Sequence, residues 1–185
     1  IITVHGAGSD RRSFLRQLPY LHDAGYTVLL FDCREHGISD ARGRGISFGV
    51  RESNDVLSAA EFLRKEKGIY DIALFGTSQG AASVLIAASQ DKTLAPVIAE
   101  NPFTDIQSLI SESIYDGQSA AIPGWIAIPS ATLTWYRNGG SDIPSPLEAT
   151  ENIHQAVFLM HSYADKLIAA DHSQRLFKSL NGPKQ

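Results

Sequence analysis

Apolar residues in this sequence form short continuous runs that alternate with segments of helical spacing. Continuous runs bounded by glycine or polar residues are typical of buried strands. Five such strands are predicted, over Ile1–Val4, Tyr26–Phe31, Ile69–Phe75, Ala95–Ala99 and Val157–Met160. Apolar residues that recur every three or four positions predict four helices, over Arg12–Ala24, Val50–Lys67, Gln79–Ser89 and Ala169–Leu180. This alternation favours an α/β fold of three layers, with a mainly parallel sheet between two layers of helices.

The predicted order of elements also gives the organisation of the chain. A length of 185 residues suits one domain. Right-handed crossovers place the loops that follow the strands at one edge of the sheet, where ligands bind in such folds. The segment 102–152 is long, contains prolines and glycines, and is expected to be an insertion between the last two strands.

Composition narrows the class of protein. Apolar residues make up 43% and charged residues 19%, which excludes a disordered chain. A net charge of −4 without a basic cluster argues against nucleic acid as a partner. The apolar stretch Ala120–Tyr136 is interrupted by prolines and is too short for a membrane span. Cys33 is the single cysteine and cannot form an internal disulfide, which favours a reducing compartment such as the cytoplasm.

The most specific motif is Gly76-Thr77-Ser78-Gln79-Gly80, which has the pattern G-x-S-x-G between a predicted strand and a predicted helix. That setting places a serine on a sharp turn above the edge of the sheet, where its hydroxyl acts as a nucleophile. Gly76 and Gly80 are expected because strand and helix backbones pass closely there. The alternative is a tight turn without catalytic function.

An acyl-transfer serine needs two backbone N–H groups that stabilise the oxyanion. The N–H of Gln79, directly after the serine, is one expected donor. The N–H of Ala7 is the second, because the glycines around it, Gly6 and Gly8, allow the loop after the first strand to bend towards the site. His5 is expected to pack and hydrogen-bond locally.

These motifs together resemble the α/β-hydrolase superfamily, in particular its lipase/esterase-like and serine-aminopeptidase-like branch that includes the Bem46-like proteins. The matching stretches cover nearly the whole chain in the order of the family: Val4–Gly8, Asp32–Ser39, Gly76–Gly80, Asn101–Asp105 and His161–Asp165. The resemblance implies that the five strands are strands 3 to 7 of the family. Strands 1 and 2 would then precede Ile1, and strand 8 would follow Gln185.

The resemblance also implies the catalytic acid. In the family it follows strand 7 in a pattern like H-G-x-x-D, which assigns the role to Asp165, although Ser162 stands where the glycine is usual. Asp105 is the second candidate. Without catalysis, Asp165 would be a helix cap or a turn residue.

The base is the missing part of the expected triad. The family histidine follows strand 8, and the only histidine after Asp165 is His172, which is expected on the surface of the last helix. His36 and His161 do not stand at the matching position. The sequence therefore predicts that these 185 residues lack the catalytic base, without which the serine is a weak nucleophile.

The insertion 102–152 is rich in apolar side chains that either form a lid over an acyl pocket or pack onto the core: Ile122, Trp125, Ile126, Ile128, Leu133 and Trp135. Contact of such a lid with a membrane is a further, weaker possibility. Cys33 and His36 have a zinc-like spacing, but no second pair exists, and neither a metal nor an organic cofactor is expected.

Two other functions compete with hydrolysis. Gly6-x-Gly8 after a strand, with Asp32 at the end of the next, suggests a dinucleotide-binding fold, but Arg11 stands where the third glycine is needed. A binding module on an inactive hydrolase scaffold is the other alternative. The sequence favours a serine hydrolase that acts by acyl transfer on a carboxylic ester, thioester or peptide bond of a small-molecule, acyl or peptidyl substrate.

Overall fold

The computed structural model of the protein describes residues 1–115, 123–137, 139 and 142–185. Its centre is a sheet of five strands, all paired in parallel, in the order β2-β1-β3-β4-β5. The strands are β1 (Ile2–Val4), β2 (Leu29–Leu30), β3 (Ile72–Thr77), β4 (Leu94–Glu100) and β5 (Val157–Met160). The predicted parallel α/β architecture is confirmed.

Helices follow the strands and flank the sheet. They are α1 (Leu18–Asp23), α2 (Glu52–Lys67), α3 (Gln79–Gln90), α4 (Ile106–Tyr115), α5 (Gly124–Arg137), α6 (Pro146–Thr150) and α7 (Asp171–Ser179). Helix α3 contacts β1, β3 and β4 and is buried along most of its length. Its small residues suit that place, because alanine and glycine let a helix approach a sheet closely.

Two predicted elements near the N-terminus are wrong in extent. The second strand is only two residues long, and Tyr26, at its predicted start, is 53% exposed. The first helix is divided into a 3₁₀ turn over Arg11–Phe14 and the short helix α1. Pro19 explains the restart, since proline is favoured in the first turn of a helix and its ring prevents continuation from the preceding turn.

The segment 102–152 contains α4, α5 and α6, and we refer to it as the cap. Its ends are joined, because the N–H of Leu147 donates to the carbonyl of Thr104 over 3.0 Å. Trp135 packs on a small apolar cluster that includes Phe103 and Ile106. Trp125 and Leu133 are instead exposed, at 77% and 57%, and Ile122 lies outside the described residues.

The C-terminal residues pair with the last strand of the sheet. Lys184 forms a parallel bridge with Val157, and the N–H of Leu159 donates to the carbonyl of Gln185. Residues 183–185 therefore already occupy the place beside β5 in the sheet, whereas the resemblance implied that the next strand would begin only after Gln185. Within the described ranges, no helix is long and apolar enough to cross a membrane.

Candidate active site

Ser78 lies on the turn that joins β3 to α3, with φ 54° and ψ −119°. A positive φ in a residue other than glycine is strained, and such strain clusters at functional sites. The turn is held in place because the N–H of Ser78 donates to the carbonyl of Glu100, at the end of β4, over 2.8 Å. The side chain is half-buried, and its hydroxyl has no hydrogen-bond partner in the described part of the chain. The geometry thus leaves the serine oxygen accessible.

The two glycines of the motif make this turn sterically possible. A Cβ atom on Gly76 would lie 2.2 Å from the carbonyl oxygen of Gly80, and one on Gly80 would lie 2.0 Å from that of Val4. Backbone atoms cannot move aside as a flexible side chain can, so only glycine fits at both positions. The requirement is the close approach of α3 to β1 and β3.

The loop after β1 lies directly against the serine. A Cβ on Gly6 would be 3.3 Å from the Cβ of Ser78 and 3.8 Å from its Oγ. Ala7 follows in an exposed turn, and Gln79 begins helix α3. Their backbone N–H groups make no hydrogen bond to the protein within the described ranges, so both are free to bind a ligand.

Two histidines brace this loop. His5 donates from Nδ1 to the carbonyl of Gly6 (2.9 Å), and its Nε2 accepts from the N–H of Cys33 (3.0 Å). His36 donates from Nδ1 to the carbonyl of Arg34, and its Nε2 accepts from the N–H of Gly8 over 3.2 Å. Burial lowers the pKa of His5, which keeps that ring neutral. Both imidazoles therefore act as local braces, as expected for His5.

Asp32 joins the same two loops. Its carboxylate accepts from the N–H groups of Arg11 and Ile38, at 2.8 and 3.0 Å, and forms an ion pair with the Arg11 side chain. Burial alone would raise the pKa of Asp32, but these donors hold it below its ordinary value. Because both oxygens are engaged, Asp32 is not free to bind a ribose, and the dinucleotide alternative loses its main support.

The loop after β5 carries Asp165. Its Oδ1 accepts from the N–H groups of Leu167 and Ile168, at 2.8 and 3.0 Å, which fixes the side chain in its own turn. Its Oδ2 has no hydrogen-bond partner in the described part of the chain. The loop is anchored to the end of β4, since the N–H of Ser162 donates to the side chain of Asn101 over 3.0 Å.

Asp105, the second candidate acid, is engaged on both oxygens. Oδ1 accepts from the N–H of Ser108 at the start of α4, and Oδ2 accepts from the hydroxyl of Thr104. This arrangement caps α4, which is a structural use of the carboxylate.

The prediction that His172 lies on the surface is wrong, since the residue is fully buried. Its Nδ1 accepts from the N–H of Thr104 at 3.2 Å and lies 3.1 Å from the guanidinium of Arg175. Its Nε2 is 2.9 Å from the carboxylate of Glu112 in α4. Burial lowers the pKa of this imidazole. His172 thus connects α7 to the cap. Within the described residues, it forms no hydrogen bond with Ser78.

The remaining histidines also make no hydrogen bond to the serine in the described part of the chain. His161 lies between the carbonyl of Ile168 (2.8 Å from Nε2) and the hydroxyl of Ser173 (2.6 Å from Nδ1). His22 and His154 are exposed. In the part of the chain that the structure describes, no imidazole is hydrogen-bonded to Ser78 or Asp165. In that part, no group of histidine, cysteine and carboxylate side chains could hold a metal ion.

The family model described as "alpha/beta hydrolase fold" matches residues 1–114. This span holds the strained serine, its glycines and the loop that touches them. The chain belongs to the α/β-hydrolase fold family. A protein of Bacillus subtilis, YqkD, whose function is uncharacterised, is 28% identical over the whole chain. The 185 residues span 61% of the length of that relative.

Solved structures show the same fold. An esterase of Pyrococcus furiosus matches with a TM-score of 0.76 and 22% identity, over 100% of this chain and 70% of the esterase. Est1E of Butyrivibrio proteoclasticus, solved with ferulic acid bound, matches with a TM-score of 0.75 and 17% identity, over 100% and 76% of the two chains. The family match and the shared fold confirm the resemblance to the α/β-hydrolase superfamily that the sequence indicates.

Proposed function

We propose that this protein is a serine hydrolase that transfers an acyl group from a carboxylic ester, thioester or peptide bond to water, with Ser78 as the nucleophile. The observation that carries the proposal is the strained, accessible serine between β3 and α3, at φ 54°. Strain of this kind is kept only where the surrounding structure enforces it. The glycines on both sides and the hydrogen bond to Glu100 do so here.

The oxyanion formed by attack on a carbonyl needs two donors close to the serine. The N–H groups of Ala7 and Gln79 are proposed for this role. They flank the turn from two sides, since Gly6, next to Ala7, touches Ser78, and Gln79 follows it. Helix α3 begins at the same point and adds the partial positive charge of its N-terminus.

Asp165 is proposed as the acid that orients the base. The backbone donors on Oδ1 fix the carboxyl group, and Oδ2 remains available to accept a hydrogen bond from an imidazole. The base itself is proposed to be a histidine outside these 185 residues. That assignment is supported by the partners of His5, His36, His161 and His172, each of which is engaged elsewhere.

The substrate class follows from the proposed chemistry and from the structural relatives. Est1E has been solved with ferulic acid, an aromatic carboxylic acid. We therefore propose small carboxylic esters as the first substrates to test, with thioesters and peptides as alternatives. The cap, which begins just after the carboxyl end of β4, is proposed to shape the acyl pocket.

The test is hydrolysis of a short p-nitrophenyl ester by the full-length protein and by its Ser78→Ala variant. We expect kcat/KM to fall by at least about a thousandfold, because acyl transfer has no other nucleophile. Ser83→Ala is the matched control, since that buried hydroxyl only bonds the carbonyl of Gln79 within α3. Turnover in Ser78→Ala equal to that of the parent would refute the assignment.

A fluorophosphonate probe gives a second readout that does not depend on the substrate. Labelling of the parent at Ser78, and its absence in the variant, would support an activated serine. A full-length protein that neither hydrolyses esters nor takes the label would favour the binding module instead.

A further inference from the structure

A cavity of about 340 Å³ lies between the loop after β2 and the start of α2. It is lined by three acidic residues and by four arginines, Arg34, Arg42, Arg44 and Arg51. We call it the arginine pocket. Nothing in the proposed hydrolytic reaction uses it.

Two of the acidic residues are already engaged. The carboxylate of Asp55 is held by the backbone and guanidinium of Arg34, with distances of 2.6 to 3.0 Å. The carboxylate of Glu35 accepts from the backbone N–H groups of Arg42, Gly43 and Arg44, which lowers its pKa. These bonds use main-chain donors of the 42–44 segment, so they leave its arginine side chains free.

Three arginines have guanidinium groups that the described residues engage only in part or not at all: Arg42 and Arg44, which are exposed, and Arg51. Within the described residues, the side chains of Arg42 and Arg44 form no ion pair. Arg51 donates from Nη2 to the carbonyl of Gly45 over 2.6 Å, but its Nε–H is buried without any partner. Buried donors in proteins normally have a hydrogen-bond partner, supplied by the protein, by water or by a ligand. The third acid, Asp40, is exposed and also lines the pocket.

The electrostatic environment of Arg51 agrees with this lack of acceptors for its guanidinium group. Burial lowers the pKa of Arg51, and the neighbouring charges of Arg34 and Arg44 lower it further, while Glu52 and Glu35 act in the opposite direction. Glu52 cannot serve as the missing acceptor, because its oxygens are occupied by the backbone and hydroxyl of Ser47 and the N–H of Gly49.

The pocket is linked to the candidate active site by a series of contacts. The carbonyl of Arg34 accepts from His36, whose other nitrogen binds the N–H of Gly8. Gly6, two residues earlier, touches Ser78. Both sites therefore belong to the loops at the carboxyl edge of the sheet, joined by one imidazole.

We propose that the arginine pocket binds a phosphate group, either free phosphate or a phosphate carried by the substrate of the proposed hydrolase. A phosphate offers several acceptor oxygens to the forked N–H groups of arginines that converge on it. Only the second of these sources rests on the proposed function.

Binding is tested by titrating the full-length protein with inorganic phosphate and with pyrophosphate in a calorimeter, at constant low chloride. The variant Arg42→Gln/Arg44→Gln removes two side chains whose backbone bonds to Glu35 are kept. We expect its Kd for phosphate to be at least about tenfold weaker. The control Arg16→Gln/Lys67→Gln loses the same charge at exposed positions outside the pocket and should bind as the parent does.

Arg51→Lys gives a second test, because it keeps the charge and removes the buried Nε–H. Weaker phosphate binding in this variant, at an unchanged melting temperature, would support direct contact. Equal weakening in the control pair would show general charge attraction and overturn the proposal. So would the absence of phosphate binding to the parent.

Kinetics distinguish the two sources of phosphate. If the substrate carries it, the parent prefers a phosphate-bearing ester over a neutral ester, and Arg42→Gln/Arg44→Gln loses that preference while it hydrolyses the neutral ester normally. If the pocket binds free phosphate instead, the parent shows no preference between the two esters but still binds inorganic phosphate. Phosphate binding by a protein without hydrolysis of either ester would reject the proposed hydrolase and keep the pocket.

Discussion

At the scale of single residues, the turn around Ser78 depends on the absence of two Cβ atoms. Gly76 and Gly80 have backbone oxygens within 2.2 Å of the position a Cβ would take. By contrast, Gly25 has a positive φ of 87° and open space around it. Gly76 and Gly80 are required by packing, whereas Gly25 is favoured by its backbone conformation. A substitution at the two kinds of position should therefore change the free energy of unfolding by different amounts.

The substitution Gly76→Ala should therefore destabilise the protein far more than Gly25→Ala. We expect a loss of about 3 kcal/mol or more for Gly76→Ala, since overpacking against backbone forces strand and helix apart. For Gly25→Ala we expect roughly 1–2 kcal/mol, the strain of a left-handed alanine. Urea denaturation measures both. Equal losses would mean that α3 can move away from β3 without penalty.

The same contrast explains what the sequence could predict at this scale. Gly76 and Gly80 stand in a fixed pattern around Ser78 because the close backbone approach admits no Cβ at either position, so the motif is visible in the sequence. His172 was wrongly predicted to lie on the surface, because it stands seven residues after Asp165 in the last helix, and the rise of a helix carries such a residue away from the edge of the sheet. Its burial depends on Glu112 and Thr104, far away in sequence, which no local pattern reveals.

At the scale of elements, a buried histidine connects α7 to the cap. His172 is surrounded by charged groups from both sides: Glu112 of α4, Asp105 at its start, and Asp171 and Arg175 of α7 itself. Burial outweighs the carboxylates and lowers the pKa. The neutral imidazole is thus the form that the junction accommodates.

This junction should make stability depend on pH. An unfolded chain has a histidine pKa of about 6.5, whereas the folded one is lower, so the unfolded state binds the proton first. Stability should therefore fall as the pH decreases below about 6.5, by up to about 1.4 kcal/mol per pH unit for one proton. Denaturation of the parent and of His172→Gln at pH 7.5 and 5.5 measures the difference.

We expect His172→Gln to lose less stability on acidification than the parent does, although it starts from a lower value. His5 also has a lowered pKa, and its contribution is common to both proteins. The substitution His154→Gln at an exposed position serves as the control, and this variant should lose as much stability on acidification as the parent does. An identical pH response in His172→Gln and the parent would contradict the assignment.

Element boundaries show where sequence reasoning is limited. Strand β5 was predicted over its observed range because its apolar run is short and sharply bounded. Strand β2 was predicted over six residues, but only two are in the sheet. Its partner β1 is itself short, and an apolar run does not tell how many of its residues find a neighbouring strand.

At the scale of the whole molecule, the described residues divide into a deeply buried centre and an exposed periphery. Helix α3 is buried along most of its length against three strands. Helix α5 instead leaves Trp125, Leu133 and Tyr136 largely exposed. The two helices should therefore open by different routes.

Hydrogen exchange should separate these routes. We expect the amides of α3 to exchange only through global unfolding, and those of α5 to exchange through local opening, faster by at least about a hundredfold. Mass spectrometry of peptides from the two helices measures the rates. Protection of α5 equal to that of α3 would mean that the cap unfolds together with the core.

The class of fold was the most predictable property at this scale. An alternation of strands and helices predicts a parallel sheet even where the bounds of single elements are wrong, and both the observed sheet and the family match agree with that prediction. The path of the cap was not predictable. Its contacts, such as Trp135 on the cluster around Phe103, join segments whose spacing carries no periodic signal.

The hydrogen bond between Thr104 and Leu147 has a consequence for how such proteins diversify. It holds the two ends of the cap next to each other, so the chain enters and leaves the cap at neighbouring points of the fold. Anything grafted between these two residues needs only to span a few ångströms. A shorter loop or a larger domain could replace the segment while the strands keep their register, and if the cap shapes the acyl pocket as proposed, such a replacement would change the substrate preference in one step.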